Sequence, residues 1–450
     1  MILARFLPFL KGILVALQQL RCRRRARFSR LFRFAFVVVL VWGVFPAVSI
    51  QAETSIIPWG SVRERYDSNV FRRPKDLLRD AQGNAPQLDD FVTTVRGGLD
   101  LRHDSRNLEA DLKVGGNYSA FVNNSNLNFY GALLSGAVGL DRWADQYVRG
   151  ARLSVTQNLV YTPEQTFGRS IQLDDVEGGL LTFRRSRILN TTGLNGRYPL
   201  SRDVTLEGGY TFGLRRQTRR TEGGEVSGAT FFNTMTHTWF GGPRYNLTRN
   251  DSVAALYRQT FFTQERSGGG RTFSTNIITL EGDYTKMFQE WQFAVRGGVT
   301  FVEPVGRSFP SGSIRVRTKP ERDTVLTLTL AREATPSFFL QGGARINHRA
   351  QVSISHRVYE RLSIGGSGGY ALSQFFPNTD STFQIITGRS RLEYKLTRNI
   401  TGELSYVFTH IDSDTTALEY QVSRHQVAFM LTVFFETLGE SLGIESFGFE

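Results

Sequence analysis

The chain has 450 residues, a formal net charge of +13 and one cysteine, Cys22. A single cysteine excludes a disulfide framework and any thiolate metal cluster. Nine of the basic residues lie within the first 52 positions, so the excess over the remainder falls to +4. No dense basic patch is left there, which excludes a nucleic-acid partner.

Residues 1–52 read as a secretory signal with a long basic leader. The basic block Arg21–Arg33 precedes an apolar run, Phe34–Val48, and small residues then offer cleavage after Ser49 or Ala52. The run is about 15 residues, shorter than the roughly 20 a spanning helix needs. From Glu53 the chain enters a first strand directly, and no plug domain is expected ahead of it.

Alternation dominates the chain from Glu53 onward. In Phe91–Arg102 one face carries Phe91, Val95, Leu99 and Leu101, and the other Arg96, Asp100 and Arg102. In Leu108–Tyr118, Leu112 and Val114 alternate with Glu109, Asp111 and Lys113. Similar runs occupy Val204–Arg215, Trp291–Phe301, Ala344–Val358 and Ile400–Thr409. A period of two puts successive side chains on opposite faces of a strand. Runs of 11 to 15 residues exceed the ~5–6 of ordinary globular strands and suit strands that cross a membrane at a tilt.

The connections alternate between short and long. Short turns are expected near 104–106, 143–145, 201–203, 249–251, 288–290, 320–322, 360–361 and 398–399. Longer loops are expected near 68–87, 119–126, 162–172, 217–228, 264–270, 303–311, 335–342, 374–381 and 411–417. The loop at 68–87 is a candidate to fold inward as a constriction. One turn phrase recurs: Tyr198-Pro199-Leu200-Ser201-Arg202-Asp203, Tyr245-Asn246-Leu247-Thr248-Arg249-Asn250 and Tyr394-Lys395-Leu396-Thr397-Arg398-Asn399. Tyr161–Leu200 holds two strands where parity wants one or three.

These features predict an all-β fold, a transmembrane antiparallel β-barrel of about 18 strands with 16 as the fallback. The domains are a signal over 1–52, a barrel over 53–435, and a tail or final strand over 436–450. The last strand is placed at His425–Phe435, with Val427, Phe429, Leu431 and Val433 toward lipid. A cell outer membrane of a Gram-negative bacterium is the expected location, with its lipids and the barrel-assembly machinery as partners.

The phrase Tyr66-Asp67-Ser68-Asn69-Val70-Phe71, together with the strand texture over 53–435, resembles the β-barrel porin family found with bacterial exopolysaccharide and exosortase gene clusters. The resemblance implies an outer-membrane location and a porin or polysaccharide-export role, and it carries no catalytic residues. From the residues alone, Asp67 and Asn69 suit a turn leaving the first strand, with a calcium or sugar contact as the alternative.

Charged residues on the inward face are the candidate site. Signs are mixed early, but Arg345, Arg349, Arg357, Arg389 and Arg391 form a basic lane. The small inward residues Ser363, Gly365, Ser367, Gly369 and Ala371 lie between them. Such a lane suits small anionic solutes or exopolysaccharide, since the guanidinium fork matches carboxylate and phosphate. The alternative is that these arginines pair with lumen carboxylates and brace the wall. Phe339, Phe375 and Phe376 are loop candidates for sugar stacking. Gly365-Gly366-Ser367-Gly368-Gly369 matches a hydrolase G-x-S-x-G in form, but it sits in an alternating strand, where the motif lacks its turn. His348 and His356 lie on the lipid side and are not at metal-ligand spacing. No cofactor is expected and no catalytic set is found. The expected function is a pore. A non-conducting structural barrel, and more remotely an outer-membrane hydrolase, are the alternatives.

Overall fold

The computed structural model describes residues 53–72, 74, 78, 86–105, 108–162, 185–221, 232–266, 272–303, 305–321, 323–337, 343–376, 382–415 and 418–435. The expected signal at 1–52, the tail at 436–450, Phe339 and most of the loop at 68–87 lie outside these residues.

Among the described residues eighteen strands follow one another. They are β1 (Glu53–Asp67), β2 (Asp90–Asp104), β3 (Glu109–Phe121), β4 (Phe129–Gly139), β5 (Arg152–Thr162) and β6 (Arg185–Pro199). Next come β7 (Val204–Thr221), β8 (Phe232–Asn246), β9 (Asp251–Arg266), β10 (Thr272–Met287), β11 (Trp291–Glu303) and β12 (Arg307–Glu321). The last six are β13 (Thr324–Pro336), β14 (Ala344–Tyr359), β15 (Leu362–Phe376), β16 (Thr382–Lys395), β17 (Ile400–Thr415) and β18 (Leu418–Phe434). Each pairs antiparallel with its sequence neighbours, and β1 pairs with β18, so the sheet closes on itself. Closure removes the two edges that an open sheet would expose.

The period of two decides what faces where. Val62, Val95, Leu99, Leu280, Val299, Leu328, Val352, Ile354, Leu404 and Phe429 are exposed on the outer face. The alternate positions carry the charges, so the barrel is apolar outside and polar inside. This is the inverse of a soluble protein and the pattern lipid requires.

The recurring turn phrase has one geometry. Ser201, Thr248 and Thr397 each place a hydroxyl oxygen to accept two backbone N–H groups of their own turn. The donors are Asp203 and Val204, Asn250 and Asp251, and Asn399 and Ile400, at 3.1 to 3.3 Å. The carbonyls of Asp203, Asn250 and Asn399 then accept from Asn246, Met287 and Phe434 on the next strand, each at 2.8 Å. The phrase's aromatics, Tyr198, Tyr245 and Tyr394, are exposed on the outer face one turn from the rim. Amphipathic rings there match the girdle of a membrane interface.

Several expectations need correction, among them the last strand, which begins at Leu418 and not at His425, so the loop expected at 411–417 is shorter. The turn expected at 143–145 is a helix, α1 (Asp141–Tyr147), whose Asp141 accepts from the backbone N–H of Leu153 at 2.8 Å. The loop expected at 303–311 is shorter, because Arg307–Ser308 already continue β12 by pairing with Val302 and Phe301. Phe375 and Phe376 belong to β15 and are buried, so neither is an exposed loop aromatic.

Two apolar clusters shape the end of the barrel bearing the long loops. Val70, just past β1, is buried with Val92, Phe121, Leu127 and Phe129, and Phe71 packs against them. Val92, Phe121 and Phe129 point inward, so residues 70–71 fold onto the inner wall. The second cluster joins Ile277, Val302 and Phe309 to Ala344, Ile346 and Phe376, with Ala334 alongside. The first three lie on the inner face of β10–β12. The others lie on the outer face of β13–β15. They meet because β12 pairs with β13 only from Gly312 onward, leaving Arg307–Ser311 with β11 alone. The ends of β13–β15 therefore lean across the inside of β10–β12, with Phe309 and Phe376 rings 4.7 Å apart.

Candidate functional site: the lumen wall

The turn phrase at Tyr66–Phe71 builds the barrel seam. Asp67, on the inner face of β1, is fully buried. Its carboxylate accepts from Arg424 Nε at 2.8 Å, from Arg424 Nη2, and from Gln426 Nε2 at 2.8 Å. It also accepts from the Asn69 backbone N–H at 3.2 Å, and Asn69 Oδ1 accepts from the Arg72 N–H at 2.7 Å. Ser68 and His425 exchange two further hydrogen bonds across the same seam, at 3.0 and 2.8 Å. The carboxylate is thus filled by β18 donors, which fits neither a calcium ligand nor a sugar contact. Outside, Tyr66 packs on Phe91 with ring centroids 5.3 Å apart.

Charges inside the barrel divide into two sectors. On β7–β11 the carboxylates of Glu207, Glu281 and Asp283 are each met by an arginine. Arg244 binds Glu207 at 2.9 Å and Asp283 at 3.1 Å, Arg258 binds Glu281 at 3.2 Å, and Arg296 binds Glu281 at 3.3 Å and Asp283 at 3.6 Å. Three arginines and three carboxylates form one strip that braces the wall.

The sector from β12 to β16 differs. The expected lane residues Arg349, Arg357, Arg389 and Arg391 all point inward, each within 4 Å of a carboxylate. Arg349 meets Glu333, Arg357 meets Asp323, Arg389 meets Glu403, and Arg391 meets Glu393 and Glu403. Arg345 is apart from them, buried in the inward-leaning tip with Nε on Thr335 Oγ1 at 3.0 Å. The sequence reading missed Arg315 and Arg317. Both are exposed on the inner face of β12, and neither forms an ion pair with another described residue. The signal was present, since Arg315, Arg317 and Lys319 alternate with Ile314, Val316 and Thr318, but it was masked by the expected loop before it.

Register places these residues in rows. One row runs Arg317, Thr327, Ser353, Ser367, Arg389 across five strands. The next runs Arg315, Thr329, Gln351, Gly369, Thr387. Four strand spacings put Arg317 and Arg389 roughly 19 Å apart. The result is a floor of small polar residues with guanidinium groups on both sides. Ser367 lies mid-strand in this floor, opposite Ser353 and Arg389, so the G-x-S-x-G run has no turn to present its hydroxyl. His348 and His356 are on the other face of the sheet; His356 Nδ1 shares a hydrogen bond with Thr324 Oγ1 at 2.8 Å.

Aromatics also reach the lumen where glycine makes room. The Trp59 ring lies against Gly98 and Gly115, where an added Cβ would come within 2.9 Å of the indole at either position. Lys113 Nζ sits 4.8 Å from the Trp59 ring centroid.

Residues 312–433 match the model of a family described as "Putative beta-barrel porin 2". The matched segment contains the whole row from Arg317 to Arg389. No curated protein matches the chain. Among solved structures it is similar to OccK2 (OpdF) of Pseudomonas aeruginosa, in complex with glucuronate. That likeness has 10% identity, covers 86% of this chain and 98% of the other, and has a TM-score of 0.42. It is also similar to the siderophore receptor PirA of Acinetobacter baumannii (8% identity, 86% and 81% covered, TM-score 0.44). The FrpB iron transporter of Neisseria meningitidis is a third (10%, 86% and 68%, TM-score 0.43).

Proposed function

We propose that this chain is a porin-like barrel of the bacterial outer membrane, and that anionic solutes pass through its lumen along the β12–β16 sector. The observation that carries this reading is the floor of small residues between Arg315/Arg317 and Arg389/Arg391. The family match over 312–433 supports the porin-like part. Barrels of 16 to 18 strands are wide enough to hold an aqueous channel. Inside a low-dielectric wall, the guanidinium groups of Arg315 and Arg317, which meet no carboxylate among the described residues, raise the local concentration of anions. A carboxylated polysaccharide presents the same chemistry as a small carboxylate, repeated along a chain.

The inward lean of β13–β15 favours a second reading, a barrel whose outer mouth is narrowed and opens only on a signal. One experiment separates them. Refolded 53–450 is placed in a planar bilayer, and conductance and reversal potential are measured under a salt gradient. Steady anion-selective conductance supports the open basic channel. Cation selectivity would refute it, and a folded barrel that never conducts would favour the closed one.

A further inference from the structure

The same lean leaves a feature on the outside. Where β12 parts from β13, the outer surface carries a step, and a groove of about 590 Å³ lies along it. Its floor is Gly297, Gly312 and Ala350, and Ile314, Leu330 and Tyr370 wall it. Arg332 and His348 stand within it as register partners on adjacent strands.

Arg332 does not belong on this face by the rule that governs the rest of β13. The outward positions before it on β13 are Leu326, Leu328 and Leu330, and Leu328 and Leu330 are exposed as lipid-facing residues should be. A cation directed at lipid is costly unless an anion meets it. Arg332 has no hydrogen bond or ion pair to another described residue, and its Nε is buried without a partner. His348 likewise makes no hydrogen bond to a described residue. Among the described residues the wall supplies no counter-charge, which leaves the surrounding medium as its source.

We propose that this groove binds one phosphate-bearing lipid, its phosphate on Arg332 and His348 and an acyl chain along the glycine floor. The chemistry is mixed in the way an amphiphile is mixed: a forked donor and an imidazole at one end, and an apolar channel floored by two glycines and an alanine at the other. Arg is suited to a phosphate because its planar donors reach two oxygens at once. Gly297 has nothing within 4 Å of a built Cβ, so the space above it is open to a guest. The proposal rests on the membrane placement of the barrel and not on solute passage.

The test uses the full barrel, folded in detergent micelles and checked by its heat-modifiable migration, then titrated with lipid under native mass spectrometry. The probes are diphosphorylated lipid A, the same lipid with its phosphates removed, and inorganic phosphate alone. Retention of the phosphorylated lipid at least tenfold tighter than the dephosphorylated one is expected. Arg332→Gln should abolish that preference. Gly297→Phe, which fills the floor, should weaken both lipids together. Equal affinity for the two lipids, or an unchanged preference in Arg332→Gln, would overturn the site. Binding of inorganic phosphate as tight as that of the lipid would overturn the lipid as its ligand. A chain that inserts into no micelle would overturn the membrane placement as well, while a folded barrel that binds nothing would overturn the lipid site alone.

Discussion

Replacing Asp67 by Ala tests the seam, the one place where residues 357 apart in sequence must find each other. In the native barrel the Asp67 carboxylate is fully buried and the Arg424 side chain is 6% exposed. Deleting the carboxylate leaves a buried guanidinium without its main acceptor, and Gln426 loses its partner at 2.8 Å. Breaking a buried pair from one side costs about 3–5 kcal/mol, most of it the stranded charge. The cost should appear as a lower denaturant midpoint for the barrel refolded in detergent, followed by tryptophan fluorescence. Arg424→Ala should cost a similar amount. The double variant should cost less than the two together by about 1–3 kcal/mol, since the second change removes a group the first has stranded. Additivity within about 0.5 kcal/mol would refute the argument. So would a loss below about 1 kcal/mol for Asp67→Ala, which would mean water reaches the seam and solvates Arg424.

Phe309→Ala should remove the contact that holds the leaning tips, at a cost of about 3–5 kcal/mol. Single-channel conductance should rise if those tips narrow the mouth, and an unchanged conductance would place the constriction elsewhere. Arg315→Glu with Arg317→Glu should move the reversal potential toward the cation side. The shift should grow as salt falls, because the screening length lengthens from about 10 Å at 0.1 M to about 30 Å at 0.01 M; the same reversal potential as the parent would remove these residues from the conduction path. Thr248→Ala takes away the acceptor for two backbone N–H groups of a solvated turn, and should lower stability by about 0.5–1.5 kcal/mol. Thr248→Ser should restore it, and equal losses in both variants would show that the methyl group matters and the hydroxyl does not.

Alternation alone was enough to settle the class of the fold, because strand faces repeat every two residues and lipid tolerates only one kind of outer face. Arg96, Asp100 and Arg102 could be set against Val95, Leu99 and Leu101 without coordinates, while the turns left the count between 16 and 18 and only the closed pairing decided it. The turn phrase was equally legible, since a hydroxyl two residues before Asp or Asn makes a local hydrogen bond that needs no distant partner. The local reading failed at the start of β12, where Gly306 and the prolines either side of it look like a loop, and pairing with β11 overrides that signal.

Which charges are spent and which remain depends on the folded barrel. Arg244, Arg258 and Arg296 read in sequence much like Arg315 and Arg317. The first three meet carboxylates on neighbouring strands, and the last two face Thr327 and Thr329. That difference depends on register across strands, which alternation within a strand does not encode. The same holds for Asp67, whose partner lies at the other end of the chain. It holds too for Arg332, an exception to the outer-face pattern that gains a reason only where β12 and β13 separate.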